Sequence, residues 1–302
     1  MADRGWIDKS ILTDIADAIR EKTGSTAKMT PSEMAAIING IETGGSSGEN
    51  DESLKEIIGR TATNPTLPSD LASIGNYAFY RYTNLALTSL PSGLTSIGDY
   101  AFQYCSKLAL TSLPSGLTSI GLYVFQECSK LALTSLPSGI TSIAANAFDG
   151  CSKLALTSLP AGLTSIAANA FKSCSNLALT SLPSGLTSIG SYAFSSCSKL
   201  ALTSLPPGIT SIDAYVFQYC SNLALTSIPS GITSIGNNAF YYCTNLKTIT
   251  FEGTPTGTIS SSAFRSCTNL TVINVPWAEG AVANAPWGAT NATINYNYTG
   301  EE

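Results

Sequence analysis

Residues 90–112 read LPSGLTSIGDYAFQYCSKLALTS, and this pattern returns every 23 residues. We count nine units: eight of 23 residues, from 67–89 through 228–250, and a ninth of 24 residues, 251–274. Nine of the ten phenylalanines occupy one repeat position: Phe79, Phe102, Phe125, Phe148, Phe171, Phe194, Phe217, Phe240 and Phe264. A unit this short cannot bury its own apolar side chains, so neighbouring units must stack around one continuous core.

The repeat predicts an elongated solenoid. In each unit we expect the leucine and isoleucine of the L-T-S-I step, the phenylalanine, the cysteine and the following leucine to face inward. The Pro-Ser-Gly step predicts a turn, because glycine accepts positive φ. Nine coils at the strand spacing of a sheet give a length of roughly 40–45 Å. One side should be a short parallel sheet, and the other should consist of turn or short-helix segments.

The units resemble the BspA-type leucine-rich repeat, whose pattern is approximately FxxCxxLxxIxIPxxVxxIGxxAF. The resemblance covers residues 67–276 and recurs nine times. It implies a leucine-rich-repeat solenoid. The family places apolar residues at offsets 0, +3 and +5 from the leucine after the cysteine, and the last two units obey this rule, as at Leu246, Ile249 and Phe251. Units one to seven instead read L-A-L-T-S followed by leucine, or by isoleucine after the seventh, with a threonine such as Thr88 at +3, so their strand face is less apolar.

The two ends of the chain differ from the repeats. Residues 1–60 carry 18 of the 35 charged side chains. The predicted organisation is a helical hairpin at 1–43, a flexible Gly/Ser linker at 44–50, an N-terminal cap at 51–66, the solenoid at 67–274, and a Pro-Trp cap at 275–302 with an edge strand near 294–298. Two short helices bury too little surface to be stable alone, so the hairpin should dock on another component. Its candidate anchoring residues are Ile11, Ile15, Ile19, Met34, Ile37, Ile38 and Ile41.

The composition argues against several functional classes. The chain has no histidine and a net charge of −5, which removes the commonest general base and metal ligand and disfavours nucleic-acid binding. No catalytic motif, metal-ligand spacing or cofactor motif is present, and no apolar run has the length of a signal peptide or membrane span. The sequence therefore predicts a non-enzymatic protein with no cofactor and no membrane insertion.

All eight cysteines share one repeat position. Two interpretations are open. Neighbouring coils would bring the cysteine Cα atoms to about 5 Å, which permits disulfides, although the Cβ vectors would be parallel. The alternative, which we favour, is a column of reduced, buried thiols. Tyr82 occupies this position in the first unit, which disfavours a mandatory disulfide framework.

Variation among the units is concentrated next to the phenylalanine. Tyr, Asn, Gln and Arg recur there, and such side chains on a rigid scaffold suit recognition of a glycan or a protein. Relaxed drift on a solvated turn is the alternative. If the site binds a ligand, the tyrosine-rich units at the two ends should matter most, with the rings pointing outward. The candidate ligand-binding residues are Tyr77, Tyr80, Tyr100, Tyr104, Tyr215, Tyr219, Tyr241 and Tyr242.

The predicted hairpin and the Pro-Trp ending together resemble tail-associated leucine-rich-repeat proteins of phages and prophages from gut Firmicutes. This resemblance implies an adhesin of the virion tail, assembled in the host cytoplasm and extracellular after release. Its partners would be a cell-surface glycan or protein receptor and, through the hairpin, tail components or a second copy. The alternatives are a secreted or surface BspA-type bacterial adhesin and a purely structural spacer.

Overall fold

A computed structural model describes residues 63–64, 67, 69 and 71–300. These residues form a parallel β-solenoid of about ten coils. The predicted helical hairpin, the linker and most of the N-terminal cap lie outside the described residues. Within the described part, no helix is long and apolar enough to cross a membrane.

The strands of the solenoid are short because each coil runs straight for only a few residues before it turns. They are β1 (Ser73–Ile74), β2 (Ser96–Ile97), β3 (Ser142–Ile143), β4 (Ser165–Ile166), β5 (Ser188–Ile189), β6 (Ser211–Ile212), β7 (Ser227–Ile228), β8 (Ser234–Ile235), β9 (Thr248–Phe251), β10 (Val272–Asn274) and β11 (Thr293–Asn295). All pairings between them are parallel.

The serine and isoleucine of the L-T-S-I step form one wall of the solenoid. Its sheets are β1–β2, β3–β4–β5 and β6–β8, and each pairs a serine with the serine 23 residues later. The preceding threonine strengthens this ladder in several coils. Thr187 Oγ1, for example, donates to the backbone oxygen of Thr164 at 3.2 Å. The threonine row therefore bonds to the backbone of the previous coil, and its side chains do not pair with one another.

A second wall, which we call the turn wall, runs from two residues before each repeat phenylalanine to two residues after it. The described residues contain no helix here, so of the two predicted alternatives the turns are correct. In units one to eight, two residues per coil have positive φ, such as Tyr77 at 59° and Arg81 at 58°, and a left-handed residue cannot continue a right-handed helix. Each coil donates backbone N–H groups to the next coil, as from Phe79 to the oxygen of Ala101 at 2.8 Å.

The phenylalanines form a continuous stack along the core. Neighbouring rings lie 4.9–5.8 Å apart between centroids and are nearly parallel. Leu94, Phe102, Cys105 and Leu108 of the second unit are fully buried, which confirms most of the inward set, although Ile97 of that unit is only half-buried. Leucines at +2, such as Leu110, and the small residue before each phenylalanine complete the packing.

The cysteine column consists of buried free thiols, so the disulfide interpretation is wrong and the thiol interpretation is confirmed. Each thiol donates to the backbone oxygen of the phenylalanine in the previous coil. Cys128 Sγ, for example, lies 3.0 Å from the oxygen of Phe102. Burial raises the pKa of the thiols at the two ends of the column, Cys105 and Cys267, to about 12, and it raises the pKa of the others further. Thiols in this state are poor nucleophiles and metal ligands.

The Pro-Trp segment continues the solenoid as a shortened tenth coil. The N–H of Ala292 donates to the oxygen of Ala289 at 3.0 Å, as Leu270 does to Cys267 in the coil before. β11 pairs with β10 and ends at Asn295, earlier than the edge strand expected from the sequence. Trp277 and Trp287 are buried and pack against Phe251, so two indole rings close the core at this end of the solenoid.

Candidate functional site

The eight candidate tyrosines all lie on the turn wall, and none belongs to the buried core. They occupy three adjacent columns of the repeat. Tyr77, Tyr100 and Tyr215 stand two residues before the phenylalanine, Tyr80 and Tyr241 stand one residue after it, and Tyr104, Tyr219 and Tyr242 stand two residues after it. The structure divides them into two separate clusters.

The backbone explains which residue types appear in two of these columns. The positions two before and two after the phenylalanine have positive φ in unit after unit. Asparagine and glycine tolerate this conformation best, and the middle units place Asn146, Asn169 and Gly150 there. The occurrence of Tyr, Asn, Gly and Ser at the same repeat position therefore indicates a left-handed backbone conformation. This indication could have been found in the sequence. Tyrosine at such a position is strained, so the tyrosines need a compensating interaction or a use.

The first cluster contains a stacked column of rings. Tyr77 and Tyr100 have centroids 4.6 Å apart, and Tyr100 and Tyr123 have centroids 4.8 Å apart, with planes nearly parallel. Both faces of Tyr100 are therefore covered, and the column presents ring edges and hydroxyl groups to a partner. Desolvation and the neighbouring tyrosines raise the pKa of Tyr100, so its hydroxyl stays protonated and can donate a hydrogen bond. Tyr123 was not among the predicted candidates.

An arginine lies between two further rings of the first cluster. The Cζ atom of Arg81 is 5.4 Å from the ring centroid of Tyr80 and 5.3 Å from that of Tyr104, within the range of cation–π attraction. The two rings meet edge to face at 6.0 Å. Tyr77, Tyr80, Arg81, Tyr100, Tyr104 and Tyr123 form what we call the N-terminal tyrosine cluster.

The second cluster consists of tilted rings, two of which are exposed. Tyr219 lies 5.3 Å from Tyr241 and 5.7 Å from Tyr242, with the planes tilted by 76° and 55°. The rings meet at an angle and are not stacked in parallel, and Tyr219 and Tyr242 are 43% and 47% exposed. Arg265 lies over the ring of Tyr241 at 5.9 Å. Tyr219, Tyr241, Tyr242 and Arg265 form the C-terminal tyrosine cluster.

Tyr215 stands apart from this cluster in its ring contacts. Its ring stacks on that of Tyr192 at 4.5 Å. The sequence placed Tyr215 with Tyr219, Tyr241 and Tyr242 because it shares their units, whereas the stacking column runs across units. Tyr192 and the two arginines were outside the predicted candidate set. The sequence could have indicated both arginines, because Arg81 directly follows Tyr80 and Arg265 lies one coil after Tyr241.

Between the clusters the turn wall carries mostly small and amide side chains, together with the Tyr192–Tyr215 stack and three charged residues, Glu127, Asp149 and Lys172. Gln103 Nε2 donates to Gln126 Oε1, and Gln126 Nε2 donates to Asp149 Oδ2 at 3.0 Å, so these groups satisfy one another along the axis. Among the described residues, no group of three metal-ligating side chains exists. A cavity of about 170 Å³ beside residues 255–259 and 281–284 has no titratable side chain in its lining. The chemistry of the described surface is therefore stacking and hydrogen bonding.

Comparison with known protein families supports the repeat assignment. The model for the BspA type leucine-rich repeat region matches six copies, over residues 59–178 and 165–279. The chain belongs to the BspA-type leucine-rich-repeat family. The solenoid of this family is a non-enzymatic binding scaffold in typical cases, and no catalytic family is found for the chain.

Solved structures of bacterial leucine-rich-repeat proteins are similar to this BspA-type chain. A leucine-rich repeat protein from Bacteroides ovatus is 26% identical, with a TM-score of 0.57, over 78% of this chain and 68% of that one. A leucine rich cell surface protein from Faecalibacterium prausnitzii is also 26% identical, with a TM-score of 0.46, over 78% and 79% of the two chains. A comparison with curated protein sequences gives no match.

Proposed function

We propose that this protein is a non-enzymatic binding protein that recognises a receptor on a bacterial cell surface through the C-terminal tyrosine cluster. The observation that carries this proposal is the exposure of Tyr219 and Tyr242, 43% and 47%, in a group of tilted rings. Exposed aromatic rings on a rigid surface are characteristic of binding sites, because they bury large area at small cost in side-chain entropy.

The backbone holds these tyrosines in place before any ligand arrives. The N–H of Tyr219 donates to the oxygen of Tyr241 at 2.8 Å, and the N–H of Tyr242 donates to the oxygen of Arg265 at 3.1 Å. Both tyrosines have positive φ, 58° and 60°. A site that is ordered in advance loses less conformational entropy on binding, which favours affinity. The strain at these positions is consistent with a functional use of the rings.

The test is a double variant, Tyr219→Ser with Tyr242→Ser. The same column contains Ser173, Ser196 and Ser266 with the same positive φ, so the backbone accepts serine there and the fold should persist. We expect cell binding to fall at least tenfold, since a buried aromatic anchor contributes on the order of 2 kcal/mol or more. Binding is measured by flow cytometry with labelled protein on intact gut Firmicutes cells, and folding is checked by thermal melts.

Tyr298→Ser is the matched control, because Tyr298 is 37% exposed and lies outside the cluster. It should leave binding unchanged. Equal binding by the double variant and the wild type would refute the role of the cluster. It would favour a purely structural role, in which the solenoid is a spacer.

The finer proposal is that the solenoid is carried on a phage or prophage tail and anchored through the N-terminal hairpin. It is supported by the resemblance of the two ends of the sequence to tail-associated proteins. A BspA-type protein of the bacterial surface is equally consistent with the comparisons. Immunogold labelling of an induced lysate distinguishes the two: label on tails supports the virion adhesin, and label on the cell envelope supports the bacterial adhesin.

A further inference from the structure

The arginines of the solenoid are placed selectively. Residues 63–300 contain only two, Arg81 and Arg265, while lysine occurs six times. Both arginines are exposed, and both guanidinium groups lie over tyrosine rings of the turn wall. The N-terminal and C-terminal tyrosine clusters therefore share one composition, in which tyrosines surround a single guanidinium group.

The two clusters lie on the same wall at a defined separation. Backbone hydrogen bonds connect equivalent positions of consecutive coils along the whole turn wall, so its columns run along the solenoid axis. Arg81 and Tyr104 belong to units one and two, whereas Tyr219 and Tyr242 belong to units seven and eight. Six coils at the spacing of neighbouring strands correspond to about 29 Å. The intervening coils place one exposed acidic residue, Glu127, and then the small residues Gly150, Ser173 and Ser196 in the same column, so a polymer would pass one carboxylate next to Tyr104 and then a stretch without large side chains.

We infer that the two clusters bind a single chain of an acidic polysaccharide that lies along the solenoid axis. This inference rests on the proposed function and names its ligand class. The ring faces and edges of the tyrosines suit the C–H faces and hydroxyl groups of sugars. A guanidinium group pairs with a carboxylate through two parallel N–H···O bonds, and its contact with the rings orients it in advance.

The charge of the solenoid permits this ligand. Residues 63–300 carry eight Lys and Arg against seven Asp and Glu, so the net charge of −5 arises outside the solenoid. A polymer also gains from two sites. Once one cluster is occupied, the second binds at a high effective concentration, which raises affinity by about 10²–10⁴-fold if both sites can be reached together. This gain is absent for a single sugar.

The experiment measures binding of the purified full chain to polygalacturonate, hyaluronan and alginate, each compared with its monosaccharide. Methyl-esterified polygalacturonate is the control polymer, because it keeps the backbone and loses the carboxylate charge. We expect at least one acidic polymer to bind about 100-fold more tightly than its monosaccharide, in line with the gain from a second site. We expect the methyl ester to lose this binding.

Arg81→Gln and Arg265→Gln separate the two sites. Each single variant should lower polymer affinity at least tenfold, while the double variant should abolish the difference between polymer and monosaccharide. Lys107→Gln removes the same charge from an exposed side chain that donates to Asn84 Oδ1, outside both clusters, and should have no effect. Thermal melts check that all four variants are folded.

Several results would overturn the inference. Equal affinity for polymer and monosaccharide would exclude the two-site arrangement, and equal effects of Lys107→Gln and the arginine variants would exclude a specific guanidinium contact. If none of the acidic polymers binds while the Tyr219/Tyr242 variant still loses cell binding, the receptor is a protein or a neutral glycan. In that case the proposed function stands and this inference fails. If cell binding does not depend on the tyrosines, the proposed function itself fails.

Discussion

Units one to seven and units eight and nine share the same core columns but differ in the segment after the cysteine. In units one to six, L-A-L-T-S-L forms no regular strand, and one backbone bond per coil, such as Ala109 N–H to Leu87 oxygen at 3.0 Å, joins neighbouring coils; in unit seven the segment ends in β7. In the late units, β9, β10 and β11 follow one another and, with β7, form a four-stranded parallel sheet. One solenoid thus contains two different solutions for the same segment.

The difference follows from where two exposed residues interrupt the alternation of a strand. In the fifth unit Leu177 and Leu179 are buried, and Thr180 and Ser181 are both exposed, so the chain bends after +2. In the eighth unit the two exposed residues come first, and Thr248–Phe251 then alternates regularly between exposed and buried. Side chains of a strand alternate between its two faces. An apolar residue at +3 from the leucine therefore keeps the alternation with the buried residue at +5. An apolar residue at +2 is instead followed by two exposed residues, and the strand ends. Placement of one apolar side chain therefore selects the local structure.

The largest expected effect comes from exchanging two neighbouring residues in an early unit. Leu179→Thr with Thr180→Leu keeps the composition but places a threonine in the position of a fully buried leucine. We expect unfolding free energy to fall by about 2–5 kcal/mol, because a core leucine is lost and a hydroxyl is buried. Urea denaturation measures this. The single variant Thr180→Leu, which leaves the core intact, should change stability by about 0.5 kcal/mol or less.

The reciprocal exchange tests the late pattern. Thr248→Ile with Ile249→Thr removes the buried Ile249, which pairs with Ile273 in the sheet. Its cost should fall within the same range of about 2–5 kcal/mol, because a core isoleucine is lost and a hydroxyl is buried. Equal stability of either exchanged protein and the wild type would show that the +2 and +3 positions are interchangeable and that the comparison is wrong.

A smaller effect concerns the thiols, which both regions share. In the unfolded chain a thiol titrates near 9.0, whereas burial raises the pKa of Cys267 to about 12 in the fold. The unfolded state therefore loses its proton first, and the stability contributed by each protonated thiol is complete below pH 9 and decreases between pH 9 and 12. The slope is about 1.4 kcal/mol per pH unit for one thiol. Cys267→Ala should reduce the measured slope by this amount.

Thiol reactivity checks the same point in another way. A native chain should react with Ellman's reagent far more slowly than the chain in denaturant, where all eight thiols become available. Cys267 should react before the interior thiols, because it lies at the end of the column and is 3% exposed, whereas the others are fully buried. Rapid native reaction of interior thiols would contradict the packing.

The smallest effect is expected for Tyr100→Asn. The substitution removes two ring stacks, which together contribute on the order of 1–3 kcal/mol, but it relieves about 1–2 kcal/mol of strain at φ 60°, where Asn146 and Asn169 are found in other units. The net change should be within about 1 kcal/mol by urea denaturation. Tyr100→Val should cost more, because a β-branched residue is unsuited to positive φ. Equal loss by both variants would indicate that backbone strain contributes nothing.

The site was only partly predictable from the sequence. Variation beside the phenylalanine located the turn wall, and the end units were correctly identified as rich in tyrosine. Which rings touch could not be read from the units, because Tyr215 pairs with Tyr192 of the preceding unit and Tyr100 with Tyr123 of the following unit. The positions of Arg81 and Arg265 over rings likewise depend on side chains from neighbouring coils.

The sequence by itself determined the solenoid, its period and its buried columns, because a 23-residue unit with the same apolar positions can bury them only by stacking on its copies. It also favoured reduced core cysteines, since Tyr82 replaces one of them and parallel side chains suit disulfides poorly, and the structure confirmed this interpretation. The tertiary structure alone decided that Trp277 and Trp287 complete a tenth coil, and that one tyrosine cluster contains rings stacked in parallel while the rings of the other are tilted. These features depend on contacts between residues about 20 or more positions apart, and a pattern within one unit contains no information about the tilt of a ring in the next.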